Sequence, residues 1–159
     1  MVVISQKGFQ RAQFPSVDEK KSGAVRRGDG VALGHNFKPS NIHAGGLRYH
    51  GAGMIISQLI KDGLMHGVDI PQLETFEAGM LFARTEGIIP APESTHAIAA
   101  TIREANKCKD TGEEKVILLN LSGHGLIDMP SYEAFIKGDL QNYTVTDEMI
   151  AENLAELDK

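Results

Sequence analysis

The sequence predicts an α/β domain built on a parallel sheet in a three-layer arrangement, on three observations. Two short apolar runs, Ile88–Ala91 and Val116–Leu121, have the aliphatic, partly β-branched composition of buried strands. Between them, Ser94–Cys108 places Ala97, Ile98, Thr101, Ile102 and Ala105 on one helical face. Strand, helix and strand at this spacing make a βαβ unit, whose crossover is right-handed in nearly all sheets. Such a crossover returns the chain to the same edge of the sheet, where open α/β sheets bind ligands. Glu93 and the turn Ser122-Gly123-His124-Gly125 are therefore expected to face one crevice.

Taken in order, Met1–Ile4 has the composition of a strand, and residues 1–30 then lose all periodicity. Lys, Arg, Gly, Ser and Asp accumulate there, so this part is expected to be an irregular lead-in, exposed or disordered. Composition changes at Val31, and residues 31–159 are expected to form the folded unit. Ile42–Gly53 carries glycines at 45, 46, 51 and 53 and leads into an apolar helix near Met54–Lys61. Glycines let a backbone approach a ligand closely, and a helix start offers unpaired N–H groups to an anion. A tight structural turn explains the same glycines equally simply. Pro71–Arg84 reads as an amphipathic helix, with Leu73, Phe76, Met80, Leu81 and Arg84 on its face and Gly87 as its stop. For the Ser94–Cys108 helix, Ser94 or Thr95 is the expected cap. Ser131–Lys137 is a short helix stopped by Gly138, and Thr146 caps a last helix carrying Ile150, Leu154 and Leu157.

The chain has 159 residues, 42% of them hydrophobic, which is enough for one domain with a real core. A net charge of −5 argues against nucleic acid as the main partner, because phosphate neutralisation needs basic surface. No apolar run approaches the length of a membrane span, and the N-terminus lacks a secretory pattern. Cys108 is the single cysteine, which excludes an internal disulfide and cysteine-based zinc sites. A cytoplasmic location follows as the expectation. His43 and His50 bracket the glycine loop, but no carboxylate stands at a zinc-binding spacing, so no metal site is expected.

Glu93 lies at a helix start, where a carboxylate compensates the helix dipole whether or not it has another role. Ser122 ends an apolar run and is followed by Gly-His-Gly; its hydroxyl is either a ligand donor or an ordinary turn hydroxyl. Ser122 and His124 are too close along a turn to converge as nucleophile and base, and the Gly-x-Ser-x-Gly elbow is absent. His96, one turn into the helix, reads as a semi-buried structural residue. A hydrolase built on Ser122, Glu93 and His96 is thereby disfavoured.

Three blocks together resemble the C-terminal part of a tryptophan synthase β chain. They are His43-Ala-Gly-Gly-Leu-Arg-Tyr-His-Gly51, Glu86-Gly-Ile-Ile-Pro-Ala-Pro-Glu-Ser-Thr-His-Ala97 and Leu121-Ser-Gly-His-Gly125. Their order and intervals, over roughly Leu33–Tyr143, are most similar to the second, divergent type of that family. Arg48, where the commoner type has an acidic residue, and His124, where it has arginine, also resemble the divergent type.

The resemblance implies a pyridoxal-phosphate enzyme of fold type II that replaces the hydroxyl of serine with indole. Carried over by motif, Ser122 with Gly123 resembles the element that contacts the pyridine nitrogen. Glu93 resembles the carboxylate beside the cofactor ring, and Gly46 belongs to the loop lining ring and substrate. The family's Schiff-base lysine and Gly-rich phosphate cradle lie upstream of these blocks, and residues 1–30 contain neither. The chain is thus expected to be a C-terminal portion, not catalytic alone, working with a complementary N-terminal half or upstream chain in a homo-oligomer. The alternative is a non-catalytic interaction module that keeps the fold without the lysine half.

Overall fold

The computed structural model describes residues 39–49 and 53–143. The lead-in over 1–30, the Met1–Ile4 strand, His50, Gly51 and the Thr146 helix lie outside the described residues. A short 3-10 turn, Gly45–Leu47, precedes four helices: α1 (Met54–Lys61), α2 (Gln72–Glu86), α3 (Pro92–Thr111) and α4 (Met129–Lys137).

The helix boundaries follow from local chemistry. α2, α3 and α4 each stop at a glycine in the left-handed region, with φ of +69° at Gly87, +68° at Gly112 and +78° at Gly138. α3 begins at Pro92, two residues before the expected caps, because proline's fixed φ suits the first helical position and its missing N–H costs nothing there. Ser94 and Thr95 therefore sit inside the first turn. Thr95 donates its hydroxyl to the Pro92 carbonyl at 2.6 Å instead of capping.

α2 and α3 pack antiparallel, since Arg103 pairs with Glu74 while Gly79 faces Thr95. A Cβ at Gly79 would stand 2.6 Å from Thr95 Cγ2, so this close crossing needs a residue with no side chain. One apolar cluster joins Ile70, Ala78, Ile98, Ala99 and Ala100, with Phe82 and Leu119 against it. A second joins Phe76, Tyr132 and Leu140. Phe76 meets Tyr132 edge-on at 5.2 Å between centroids and stacks on Phe135 at 5.7 Å. α2 is thus covered by α3 on one side and α4 on another. That explains why its buried residues are Gln72, Thr75, Phe76, Ala78 and Gly79, while Leu81, expected on the apolar face, is exposed.

The two expected strands do not pair with each other among the described residues. Ile88–Ala91 instead meets the second glycine turn: Ala91 N–H donates to Gly123 O at 3.0 Å, and Gly125 N–H to Ile89 O at 2.8 Å. Pro90 and His124 form an isolated antiparallel bridge. The Val116–Leu121 run carries no regular secondary structure, although Ile117 and Leu119 are half-buried and Val116, Leu118 and Asn120 are exposed, the alternation of a strand. Among the described residues no backbone pairing is found for this run.

A buried amide ties the fold together at long range. Gln72 accepts from His43 N–H at 2.7 Å and donates to the Gln141 carbonyl at 2.8 Å.

Candidate functional site

The candidate site is assembled on the N-terminus of α3, which collects segments from both sides in sequence. Glu93 is the second residue of the helix, and its Oε1 accepts a hydrogen bond from Gly46 N–H at 2.7 Å. A Cβ on Gly46 would lie 3.0 Å from Glu93 Cγ and 3.1 Å from Oε1, so this approach of loop to helix depends on glycine. The carboxylate also lies where the helix dipole favours negative charge. Its dipole role and its grip on the turn coexist in one side chain.

From the other side comes Ser122–Gly125. Through the Ala91–Gly123 bond this turn lies against the residue just before Pro92, and a Cβ on Gly123 would stand 3.1 Å from Ala91 Cβ. Gly125 is buried and tighter still: an added Cβ would strike the Pro90 carbonyl. Ser122 is exposed, and its hydroxyl makes no hydrogen bond among the described residues. His124 is exposed, and its Nδ1 accepts from Leu126 N–H at 3.3 Å. Gly46 is therefore held to the start of α3 by the Glu93 side chain and Gly123 by the backbone of Ala91, with Ser122 adjoining.

A rigid floor holds this arrangement. Tyr132 donates its hydroxyl to the Pro90 carbonyl at 2.6 Å, and burial, with help from Asp128, pushes its pKa up to about 12. His96 is half-buried, with Nδ1 3.0 Å from the Pro92 carbonyl. Burial lowers its pKa more than that contact raises it, which favours neutral imidazole donating from Nδ1. Ser94 Oγ is buried with no partner among the described residues, an orphan hydroxyl one residue beyond Glu93.

Two anchors escaped the sequence reading. Gln72 holds the His43 backbone, and Ser131 Oγ lies 3.0 Å from His43 Nδ1, so α2 and α4 both fix the start of the glycine loop. A glutamine at a helix start carries no signal that it will be buried, and Ser131 lies 88 residues from its partner. A shallow depression of about 450 Å³ at the other end of α3, beside Cys108, Lys109 and Glu114, is remote from the site. At ~1.5 Å per residue it stands more than 20 Å from Glu93 along the helix. Among the described residues no group of three or more His, Cys, Asp or Glu could hold a metal ion. No helix there is long and apolar enough to cross a membrane.

No family model matches the chain. It is 59% identical over 108 residues to tryptophan synthase beta chain 2 of Aquifex aeolicus, and 59% over 108 residues to that of Methanosarcina acetivorans. The Pyrococcus furiosus beta chain 2 is 52% identical over 115 residues. These matches cover 68%, 68% and 72% of this chain, but only 25%, 24% and 26% of the relatives. The chain spans about a quarter of the length of the curated relatives it matches. Identity at this level makes the chain a homologue of part of a tryptophan synthase. More particularly, the homology is to the beta chain of the second type, as the three motif blocks resemble.

Proposed function

We propose that this chain supplies the ring-binding side of a pyridoxal-phosphate site in a tryptophan synthase β-type enzyme, and that it is not catalytic alone. The observation that carries the proposal is the Glu93–Gly46 hydrogen bond beside the Gly123–Ala91 contact. It unites all three resembling blocks at one helix start. The residues present suit one face of a flat aromatic cofactor. Gly46 and Gly123 let the loop and the turn pack closely against Glu93 and Ala91, and Ser122 offers an exposed hydroxyl. In this reading Ser122 holds the pyridine nitrogen, Glu93 flanks the ring, and Gly46 and Gly123 line it.

Bound pyridoxal phosphate supplies an electron sink for β-replacement at serine. The Ser122 hydroxyl would hold the pyridine nitrogen by a neutral hydrogen bond, which would limit charge delocalisation into the ring. Of the described lysines, Lys107, Lys115 and Lys137 are engaged by Glu104, Glu113 and Glu133, while Lys61 ends α1 and Lys109 lies in the last turn of α3. The reactive lysine and the phosphate cradle come, in our reading, from a complementary N-terminal polypeptide. That polypeptide completes the three-layer parallel α/β fold. Serine and indole are the substrates, and the assembly is a cytoplasmic homo-oligomer that does not bind nucleic acid.

The test is a titration of the full chain with pyridoxal phosphate, alone and after co-expression with the part of the Aquifex aeolicus beta chain that this chain does not match. Alone, the chain should give neither the visible absorbance of bound cofactor nor tryptophan from serine and indole. The complex should give both, and Ser122→Ala should weaken cofactor binding in it. Turnover by the isolated chain, with a borohydride-reduced adduct on one of its own lysines, overturns the half-site reading. A stable complex that never binds the cofactor favours a non-catalytic interaction module.

A further inference from the structure

Ser94 carries a hydroxyl that the fold buries and does not use. The residue is 3% exposed, and its Oγ has no hydrogen-bond partner among the described residues. A hydroxyl inside a helix ordinarily returns to the carbonyl three or four residues back. Thr75, Thr85, Thr95, Thr101 and Thr111 all do so here. For Ser94 both such carbonyls are already taken. Ala91 O accepts from Ser94 N–H at 2.9 Å and from Thr95 N–H at 3.1 Å. Pro90 O accepts the Tyr132 hydroxyl at 2.6 Å, and Gly125 packs so closely that a Cβ there would strike it. An enclosed hydroxyl without a partner is costly, so its presence needs a physical reason. Its place in the fold supplies one. Leu119 packs against the cluster containing Ile98, about one turn beyond Ser94, while Gly123 bonds to Ala91, about one turn before it. The chain from Leu119 to Gly123 therefore passes the level of Ser94, and Ser122 lies on that passage.

We propose that Ser94 is a positioning residue of the cofactor site, whose hydroxyl donates to Ser122 Oγ when Ser122 donates to the pyridine nitrogen. The inference rests on the half-site reading above and adds the group that stands behind Ser122. A hydroxyl that gives its own proton to an acceptor becomes a stronger acceptor itself. Ser122 Oγ is exposed and makes no hydrogen bond among the described residues, so its lone pairs are open to a donor. The other side chains in the first turn of α3 have spent theirs: Thr95 donates to the Pro92 carbonyl, and His96 Nδ1 lies 3.0 Å from the same oxygen. Ser94 alone keeps a buried donor in reserve there. The pairing forms as the Ser122 turn settles onto the start of α3, and the two hydroxyls then act in series, Ser94 fixing the direction in which Ser122 points.

Ser94→Ala, alone and combined with Ser122→Ala, tests the series on two readouts. In the isolated full chain the substitution removes an unsatisfied group, so the melting temperature should rise by at least about 2 °C. An unchanged or lower value means that the hydroxyl already has a partner, and overturns the proposal whatever the cofactor does. The second readout is the visible absorbance of pyridoxal phosphate titrated into the chain co-expressed with the unmatched part of the Aquifex aeolicus beta chain. Ser94→Ala should weaken that binding about tenfold, and should weaken it no further once Ser122 is replaced by alanine. Equal weakening in both backgrounds makes Ser94 independent of Ser122 and overturns the series. Unchanged binding in Ser94→Ala overturns the role of Ser94 and leaves the half-site reading standing. Failure of the unaltered chain to bind pyridoxal phosphate in the co-expressed sample overturns both.

Discussion

The carboxylate of Glu93 holds the backbone of Gly46, 47 residues earlier in the chain, through a single hydrogen bond of 2.7 Å. The bond is charge-assisted and lies at the surface, so it fixes a local turn without dominating global stability. Glu93→Ala should accelerate exchange of the Gly46 amide, measured by NMR, while changing unfolding free energy by less than about 1.5 kcal/mol. Glu93→Gln keeps an acceptor oxygen and should fall between the two. Unchanged exchange in Glu93→Ala would show that the turn is held by something else.

Gly79→Ala sets two effects against each other. Alanine improves helix propensity by about 1 kcal/mol. Its Cβ, however, would meet Thr95 Cγ2 at 2.6 Å and Tyr132 Oη at 2.9 Å, and Thr95 is completely buried. Overpacking of this kind costs roughly 1–3 kcal/mol, so a net loss of stability is expected in denaturant melts. A stabilised variant would mean that α2 and α3 separate more easily than their contacts suggest.

Tyr132→Phe removes the hydroxyl that donates to the buried Pro90 carbonyl and should cost about 1–3 kcal/mol. The pH dependence gives a second readout. Burial raises the phenol pKa from 10.0 to about 12, so the folded protein keeps a proton that the unfolded chain releases. This contribution is complete below pH 10.0 and is lost as pH rises toward about 12. Thermal melts across that window should show a smaller alkaline loss for Tyr132→Phe than for the unaltered protein. Equal losses would assign the alkaline sensitivity to other groups.

The helices were legible because their signals are local. Glycines at 87 and 138 end α2 and α4 as their conformational freedom suggests. Pro92 starts α3 for an equally local reason, although the nearby Ser94 and Thr95 drew attention as caps. The run 116–121 stood out as a continuous apolar, partly β-branched stretch, but pairing is non-local and nothing in such a run specifies its partners. Glu93, Gly46 and Gly123 stood out through motif order. Their hydrogen bonds did not, because each joins segments whose separation depends on how the chain folds back. Gln72 and Ser131 were invisible for the same reason.

The Gln72 amide imposes an order of events during synthesis. One end of it holds the backbone of His43 across 29 residues, and the other holds the carbonyl of Gln141 across 69. Chain emerges from the ribosome N-terminus first. The His43 loop and α2 are therefore exposed to the cell well before Gln141 can satisfy the amide. In that interval the uncovered amide of Gln72 is satisfied by water, and its exchange of water for the Gln141 carbonyl accompanies closure of the segment that carries Leu140. The Gln72 amide therefore has its full set of partners only once the last part of the second cluster, around Leu140, has closed over α2.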